Sequence, residues 1–131
     1  MNKILVLFWG LILLISCDKD AYYDYYVINE CNEEINIYIE SDWKKFNDII
    51  SVVIPPYENR LMYHGEWINE VNDRMVERFF LKIIITKGNT ISNVNYVNKN
   101  LWRFEPISKD HANSYLTVTM EDFEDKPSGG R

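Results

Sequence analysis

The two histidines of this chain and their acidic neighbours are the residues whose types could support catalysis. His64 stands two positions before Glu66, and Asp110 directly precedes His111. Neither histidine lies in an HxxxH or HExxH spacing, and no GxSxG turn supplies a nucleophile. We therefore expect no metal site, no cofactor and no enzymatic activity. A small hydrolase or a metal-dependent enzyme built from these four residues is the alternative.

The beginning of the chain indicates export. Lys3 is the only charged residue before Asp18, and residues 4–15 are apolar apart from Gly10. A positive start followed by about 7–15 apolar residues is typical of a secretory signal peptide. The run is shorter than the roughly 20 apolar residues that cross a bilayer core. We therefore expect residues 1–16 to be a cleaved signal peptide rather than a membrane-spanning helix.

The end of the apolar run, Leu14-Ile15-Ser16-Cys17, resembles the lipobox of bacterial lipoproteins. The resemblance implies that Cys17 is joined to a diacylglycerol, becomes the first residue after cleavage and anchors the protein in a membrane. Two or three acyl chains hold a protein stably at a bilayer, whereas one holds it only marginally. The resemblance therefore predicts a lipid anchor at Cys17 that incorporates palmitate, followed by a short tether over residues 17–21.

The residues after the cysteine, Asp18-Lys19-Asp20, bear on which membrane holds the anchor. They resemble the charged stretches that act as export signals to the outer face of the outer membrane in lipoproteins of Bacteroidota. In enterobacterial lipoproteins, an aspartate at this place implies retention at the inner membrane instead. The chain is rich in Asn, Ile, Tyr and Lys, which is similar to Bacteroidota sequences. We therefore expect a lipid-anchored envelope protein in the outer membrane, with exposure at the cell surface favoured.

Charge argues against one large class of partner. Without residues 1–16 the chain has 115 residues, which suits one domain, and it carries 13 Lys and Arg against 20 Asp and Glu. The resulting net charge of −7 gives no attraction for phosphates, so we expect no nucleic-acid partner. A basic protein or a divalent cation stays open as a partner.

Once Cys17 is lipidated, Cys31 is left without a second cysteine. We expect it to be a small buried residue rather than a reactive thiol.

Alternation of apolar and polar residues predicts that most of the chain is β-strand. Residues 22–28 and 35–40 alternate on either side of the turn-forming segment 29–34, so we expect the first two strands to form an antiparallel hairpin. Pro55-Pro56 and His64-Gly65 are expected to end the third and fourth strands. The later strands are predicted at residues 50–54, 61–63, 79–86, 101–104 and 115–120.

Four other segments depart from this alternation. Residues 67–78 repeat apolar side chains at helical spacing, which predicts a short helix near 67–77 or an excursion between sheets. Lys87-Gly88-Asn89 supplies a tight turn, and residues 106–113 are expected to be a loop. The chain after Phe123 is acidic and then rich in glycine, so residues 124–131 are expected to be a flexible tail.

About seven short strands without βαβ alternation predict an all-β, mainly antiparallel fold. We expect a single immunoglobulin-like β-sandwich over residues 22–123 with at most one short helix. The runs YVIN at 26–29, INIYI at 35–39 and VVIPP at 52–56, a late Trp102 and YLTVTMEDF near the end resemble the small lipoproteins common in Bacteroides and its relatives. That resemblance implies a location and a β-sandwich fold, but no chemistry.

The candidate binding residues are aromatic: Tyr22, Tyr23, Tyr25, Tyr26, Trp43 and Trp67. Strand alternation puts Tyr23 and Tyr25 on one face and Tyr22 and Tyr26 on the other. Either one pair is exposed, or the sandwich and its loops cover both. The two tryptophans lie in polar, loop-like sequence. These residues favour a non-enzymatic binding or structural module whose partner is a basic protein or a glycan.

Overall fold

The computed structural model describes residues 20–41, 49–68 and 71–124. Its strands are β1 (Asp20–Asn29), β2 (Ile35–Ser41), β3 (Ile49–Ile54), β4 (Asn59–Ile68), β5 (Phe80–Lys87), β6 (Thr90–Ile91), β7 (Trp102–Pro106) and β8 (His111–Val118). The described helices are α1 (Met75–Phe79) and two short 3₁₀ helices (Lys99–Leu101 and Met120–Phe123). The predicted signal peptide, Cys17 and Trp43 lie outside the described residues.

Two four-stranded sheets make up the described fold. Sheet A has the strand order β4-β1-β8-β7, and sheet B has the order β3-β2-β5-β6. The described strand pairs are antiparallel except for β1 and β8, which run parallel in the middle of sheet A. The predicted all-β, mainly antiparallel sandwich is confirmed. It has eight described strands where about seven were expected, and β1 begins at Asp20, inside the predicted tether.

The predicted hairpin between the first two strands is wrong, because β1 and β2 lie in different sheets. The chain leaves sheet A at Asn29, which is fully buried. The Asn29 amide nitrogen donates to the backbone oxygens of Glu33 (2.9 Å), Ile54 (3.1 Å) and Pro55 (3.0 Å), and its Oδ1 accepts from the Cys31 N–H (2.9 Å). The Asn29 side chain thus provides hydrogen-bond partners for backbone groups of the segment that crosses between the sheets. The chain therefore passes to sheet B without the backbone hydrogen bonds of a hairpin.

The core lies between the inward faces of the two sheets. One side of β1 and one side of β2 are buried, which places the following residues in the core: Tyr23, Tyr25, Val27, Ile35, Ile37 and Ile39. The ring of Tyr25 meets Phe80 and Trp102 edge-on, with centroids 4.9 Å and 5.4 Å apart. Such aromatic pairs contribute about 0.5–1.5 kcal/mol each beyond the area that they bury. Cys31 is buried as expected, and burial raises the pKa of its thiol.

Strand β4 runs past its predicted end at His64-Gly65 and continues to Ile68. Gly65 is buried against Phe79, and a Cβ at this position would lie 2.8 Å from the Phe79 ring. The glycine therefore permits close packing inside the strand rather than a turn. The predicted helix is correspondingly shorter. Among the described residues of this segment only Met75–Phe79 is helical, and Ile68 is an exposed residue of β4.

The second half of the chain follows the predicted pattern more closely. Strand β5 matches the prediction for residues 79–86 with a shift of one residue, and the turn after it holds Gly88 at a φ of 56°. Strand β8 begins at His111, so this histidine belongs to sheet A and not to the predicted loop. Within the described ranges, no helix has the length and apolar character needed to cross a membrane. Apart from Glu124, the predicted flexible tail lies outside the described residues.

Candidate functional site

The outward side of sheet A brings together several of the residues that the sequence singled out. The even-numbered residues from Tyr22 to Tyr26 in β1 point outward, because the odd-numbered residues fill the core. The strand registers place residues of β4, β7 and β8 beside them. We call the following set the outer face: Tyr22, Asp24, Tyr26, His64, Glu66, Arg103, Glu105, His111, Asn113 and Tyr115.

Asp24 lies in the middle of the outer face and bonds a histidine on each side. The Nδ1–H of His64 donates to Asp24 Oδ1 over 2.6 Å, and the Nε2–H of His111 donates to Asp24 Oδ2 over 2.9 Å. Asp24 and His64 are direct partners in the register of β1 with β4, whereas His111 lies opposite Tyr22 and reaches Asp24 diagonally. One carboxylate therefore links β4, β1 and β8 in addition to their backbone ladders.

The electrostatics of Asp24 follow from these two bonds. Only 17 % of its side chain is exposed, compared with 49 % for His64 and 37 % for His111. Burial raises the pKa of Asp24, but the hydrogen bonds and charges of the two histidines outweigh burial and hold this pKa below its ordinary value. Asp24 is therefore ionised at neutral pH, and it fixes the orientation of both imidazole rings.

His64 is held by two further neighbours. The ring of Tyr22 stacks on it, with centroids 5.9 Å apart and 20° between the planes. The other ring nitrogen, Nε2, lies 3.9 Å from Glu66 Oε1, and both of these side chains are about half exposed. Tyr22 is itself 39 % exposed. This end of the outer face therefore presents an aromatic ring, an imidazole and a carboxylate to solvent.

A second aromatic row crosses the outer face next to the Asp24 cluster. Tyr26 stacks on Tyr115 with centroids 5.2 Å apart and 17° between the planes. The Arg103 guanidinium lies 4.5 Å from the centre of the Tyr115 ring. Because the strands follow the order β1, β8, β7, Tyr115 has Tyr26 on one side and Arg103 on the other. Both faces of the Tyr115 ring are thus occupied within the row.

The structure divides the four predicted binding tyrosines between two environments. Tyr23 and Tyr25 are buried in the core, where they are not accessible to a partner. Tyr22 is exposed and Tyr26 is half-buried on the outer face. The outward pair is therefore only partly covered, so the structure lies between the two alternatives that alternation left open.

Trp67, one of the two predicted tryptophans, does not belong to the outer face. Trp67 is half-buried, and the Arg78 guanidinium lies 4.7 Å from the centre of its ring. Its register partner is the buried Ala21, so Trp67 is on the inward side of β4. Trp43 lies outside the described residues, and its part in binding stays a prediction, as does lipidation of Cys17.

Three of the four residues behind the enzyme alternative lie on the outer face, and two of them bond Asp24. His64, Glu66 and His111 share the outer face, whereas the Asp110 carboxylate accepts from Ser108 Oγ over 2.6 Å in the loop before β8. In the described part of the chain, neither histidine hydrogen-bonds a Ser, Thr or Cys side chain. No group of three or more His, Cys, Asp or Glu side chains within the same ranges is placed to hold a metal ion.

Asp24 is the central residue of this site, and sequence reasoning missed it. Its outward position could be read from the alternation that it shares with Tyr22 and Tyr26. Its partners could not, because His64 and His111 follow it by 40 and 87 residues. The available signal was an aspartate at the same alternating positions as Tyr22 and Tyr26. This signal identifies the face on which Asp24 lies, but not the residues of other strands beside it.

Comparisons with known proteins do not add to this description. No protein-family model matches the chain, and no curated protein or solved structure matches it at a significant level. The functional interpretation therefore rests on the residues of the outer face and on the N-terminal pattern.

Proposed function

We propose that this chain is an envelope lipoprotein, anchored through Cys17, whose β-sandwich is a non-enzymatic binding module. The observation that supports binding is the outer face, where Asp24 bonds His64 and His111 across three strands. Side chains that are already fixed lose less conformational entropy when a partner binds. Tyr22, exposed and stacked on His64, adds aromatic contact area of the kind that dominates many interfaces.

The position of the cluster favours binding over catalysis. The His64 side chain is about half exposed on the open side of a sheet. Catalytic sites are usually concave and exclude water, which strengthens the electrostatic interactions inside them. A hydrolase would need a nucleophile beside one of the histidines, and a metal-dependent enzyme would need three ligands that converge on one point. Within the described ranges, the surroundings of Asp24 supply neither.

The chemistry of the outer face favours a protein partner with basic side chains. Tyr26 and Tyr115 stack on each other and Arg103 covers Tyr115, so few ring faces are left for stacking on a sugar. Glu66 and Glu105 place exposed carboxylates on the same face. Together with the net charge of −7 after cleavage, they attract a basic protein and repel nucleic acid. A neutral glycan is the alternative partner.

The N-terminal pattern supports the proposed location. A lipobox that ends at Cys17, followed by Asp18-Lys19-Asp20, is similar to outer-membrane lipoproteins with surface exposure. Cell fractionation combined with protease treatment of intact cells tests this placement. Cleavage of the sandwich in intact cells is expected, whereas a protected chain in the inner-membrane fraction would support the alternative that the aspartate after the cysteine retains it.

The binding proposal is tested with the full chain in detergent, presented to envelope extract at low and high salt beside a neutral-glycan array. We expect capture of a basic protein that weakens with salt. Tyr22→Ala should weaken it about thirtyfold or more, since an interface hot spot contributes about 2 kcal/mol or more. Tyr38→Ala is the matched control, because Tyr38 lies on the outward side of sheet B.

Three outcomes would contradict the proposal in different ways. Equal binding by the Tyr22 and Tyr38 variants would place the contact away from the outer face. Salt-independent binding to a neutral glycan would refute the basic protein as partner. Capture of nothing in either arm would favour a purely structural role for the domain.

A further inference from the structure

The four edges of the two described sheets differ in their protection against pairing with another strand. Edge strand β4 carries the charged residues Arg60 and Glu66, and edge strand β7 carries Arg103 and ends at Pro106. The third edge, β6, is only two residues long. Charges, proline and short length are the features by which proteins keep sheet edges from associating. The fourth edge, β3, has none of these features.

Strand β3 is an apolar edge of full length. Its six residues, IISVVI, contain no charge. The outward Ile49 and Val53 are 63 % and 47 % exposed, while Ile50 and Val52 pack on the core from the inward side. One side of β3 pairs with β2, and within the described ranges no strand pairs with its other side. An edge strand of this kind presents backbone N–H and C=O groups between apolar side chains. Another strand can pair with these groups.

We propose that β3 pairs with β3 of a second copy of this chain, so that two B sheets join into one continuous sheet. An antiparallel pairing about a two-fold axis at Ser51 puts Ser51 opposite itself, Ile49 opposite Val53 and Ile50 opposite Val52. Outward residues then meet outward residues and inward residues meet inward residues, as the two-residue period of a strand requires. Every opposed pair is β-branched or hydroxyl-bearing, and no like charges meet.

The charge of the chain restricts the edges at which two copies can meet. Two copies with a net charge of −7 after cleavage repel each other wherever their acidic surfaces approach. Among the described edge strands longer than two residues, β4 and β7 each contain a glutamate. Strand β3 contains no charged residue, so it adds nothing to this repulsion. The strand also supplies its own complement, and a two-fold contact between identical surfaces is the commonest form of homo-oligomer.

Site-specific cross-linking of the purified full chain in detergent tests the register. Across an antiparallel pair, opposed Cα atoms are about 4.5–5.5 Å apart, which lies within the roughly 4.4–6.8 Å that a disulfide bridges. Ser51→Cys should therefore give disulfide-linked dimers under mild oxidation. Thr90→Cys, exposed on edge strand β6, carries the same anchor and controls for random collisions within a micelle. Equal dimer yields from the two variants would overturn the proposal.

Sedimentation of the same protein tests the dimer without a cross-link. The wild-type chain should sediment as a dimer, and Val53→Lys should be monomeric, because it places a charged lysine opposite Ile49 of the second copy at both ends of the joint, and a lysine on an edge strand opposes pairing with another strand. Ile91→Lys, on exposed β6, makes the same change of charge and should stay dimeric. Unchanged circular dichroism would show that the exposed lysine leaves the fold intact. A monomeric wild type, or a Val53→Lys variant that stays dimeric, would refute the pairing.

Discussion

Replacing Asp24 by asparagine tests whether its charge, rather than its shape, holds the outer face together. The substitution keeps the side-chain volume but removes the carboxylate that His64 and His111 share. A hydrogen bond to a charged group contributes about 1.5–3 kcal/mol, whereas an ion pair between exposed groups contributes about 0.2–1 kcal/mol. Both histidines are more than a third exposed, so we expect the contribution of each hydrogen bond to be close to that of an exposed ion pair. We expect Asp24→Asn to lower the free energy of unfolding by about 1–2 kcal/mol.

The loss should depend on pH in a direction that the pKa of Asp24 fixes. This pKa is lower in the folded protein than the value of 3.8 that an unperturbed aspartate has. The stabilisation is therefore fully present above the unfolded pKa and is lost as the pH falls through the folded pKa. Wild type and Asp24→Asn should differ most clearly near neutral pH and begin to converge below about pH 4.

Urea unfolding of the full chain, followed by tryptophan fluorescence at neutral and acidic pH, measures both effects. Glu105→Gln is the matched control on the same face, because its carboxylate is exposed and lies 3.6 Å from the Arg103 guanidinium. The control should change the free energy of unfolding by less than about 0.5 kcal/mol. A loss for Asp24→Asn no larger than that of the control would refute the reasoning. So would a difference that persists unchanged into strong acid.

Three further predictions concern the anchor, the core and the crossover. Cys17→Ala should leave an unprocessed or soluble chain without labelled palmitate, and detergent partitioning like that of wild type would contradict the lipobox. Gly65→Ala should lower the free energy of unfolding by about 1–3 kcal/mol, because its Cβ would lie 2.8 Å from the Phe79 ring. Combined with Phe79→Leu the losses should be less than additive, and strict additivity would exclude the clash. Asn29→Ala should cost about 2–4 kcal/mol in urea unfolding, because buried backbone groups lose their partners, and a cost below about 1 kcal/mol would contradict that role.

The faces of the strands could be predicted from the sequence because alternation is a local property. The separation of Tyr23 and Tyr25 from Tyr22 and Tyr26 needs only the two-residue period of an extended chain. Which pair is buried depends on what covers each side of β1, and the sequence left that choice open. The same reasoning places Asp24 with Tyr22 and Tyr26 but leaves its partners unknown.

Pairing between strands could not be predicted, because a turn of a few residues between two strands fits both a hairpin and a crossover. The buried side-chain amide of Asn29 stabilises the crossover, because it donates hydrogen bonds to backbone oxygens at the end of β3. These contacts exist only in the folded protein. The parallel pairing of β1 with β8 brings His111 to Asp24 from 87 residues away. No local pattern specifies a contact at that distance along the chain, and the local sequence around His111 predicts a loop.

The proposed anchor also limits how a partner can approach the outer face. Four residues separate Cys17 from Tyr22, and the roughly five Cα–Cα steps from one to the other span at most about 18 Å when fully extended. Tyr22 is the register partner of both Glu66 and His111, so these three residues mark one end of the outer face. With lipid on Cys17, that end stays close to the bilayer whatever conformation the tether adopts. A long neutral polymer would meet the bilayer there, whereas a membrane-associated protein can reach the same end from the side. The short tether therefore supports a protein of the same membrane over a glycan as the partner of this face.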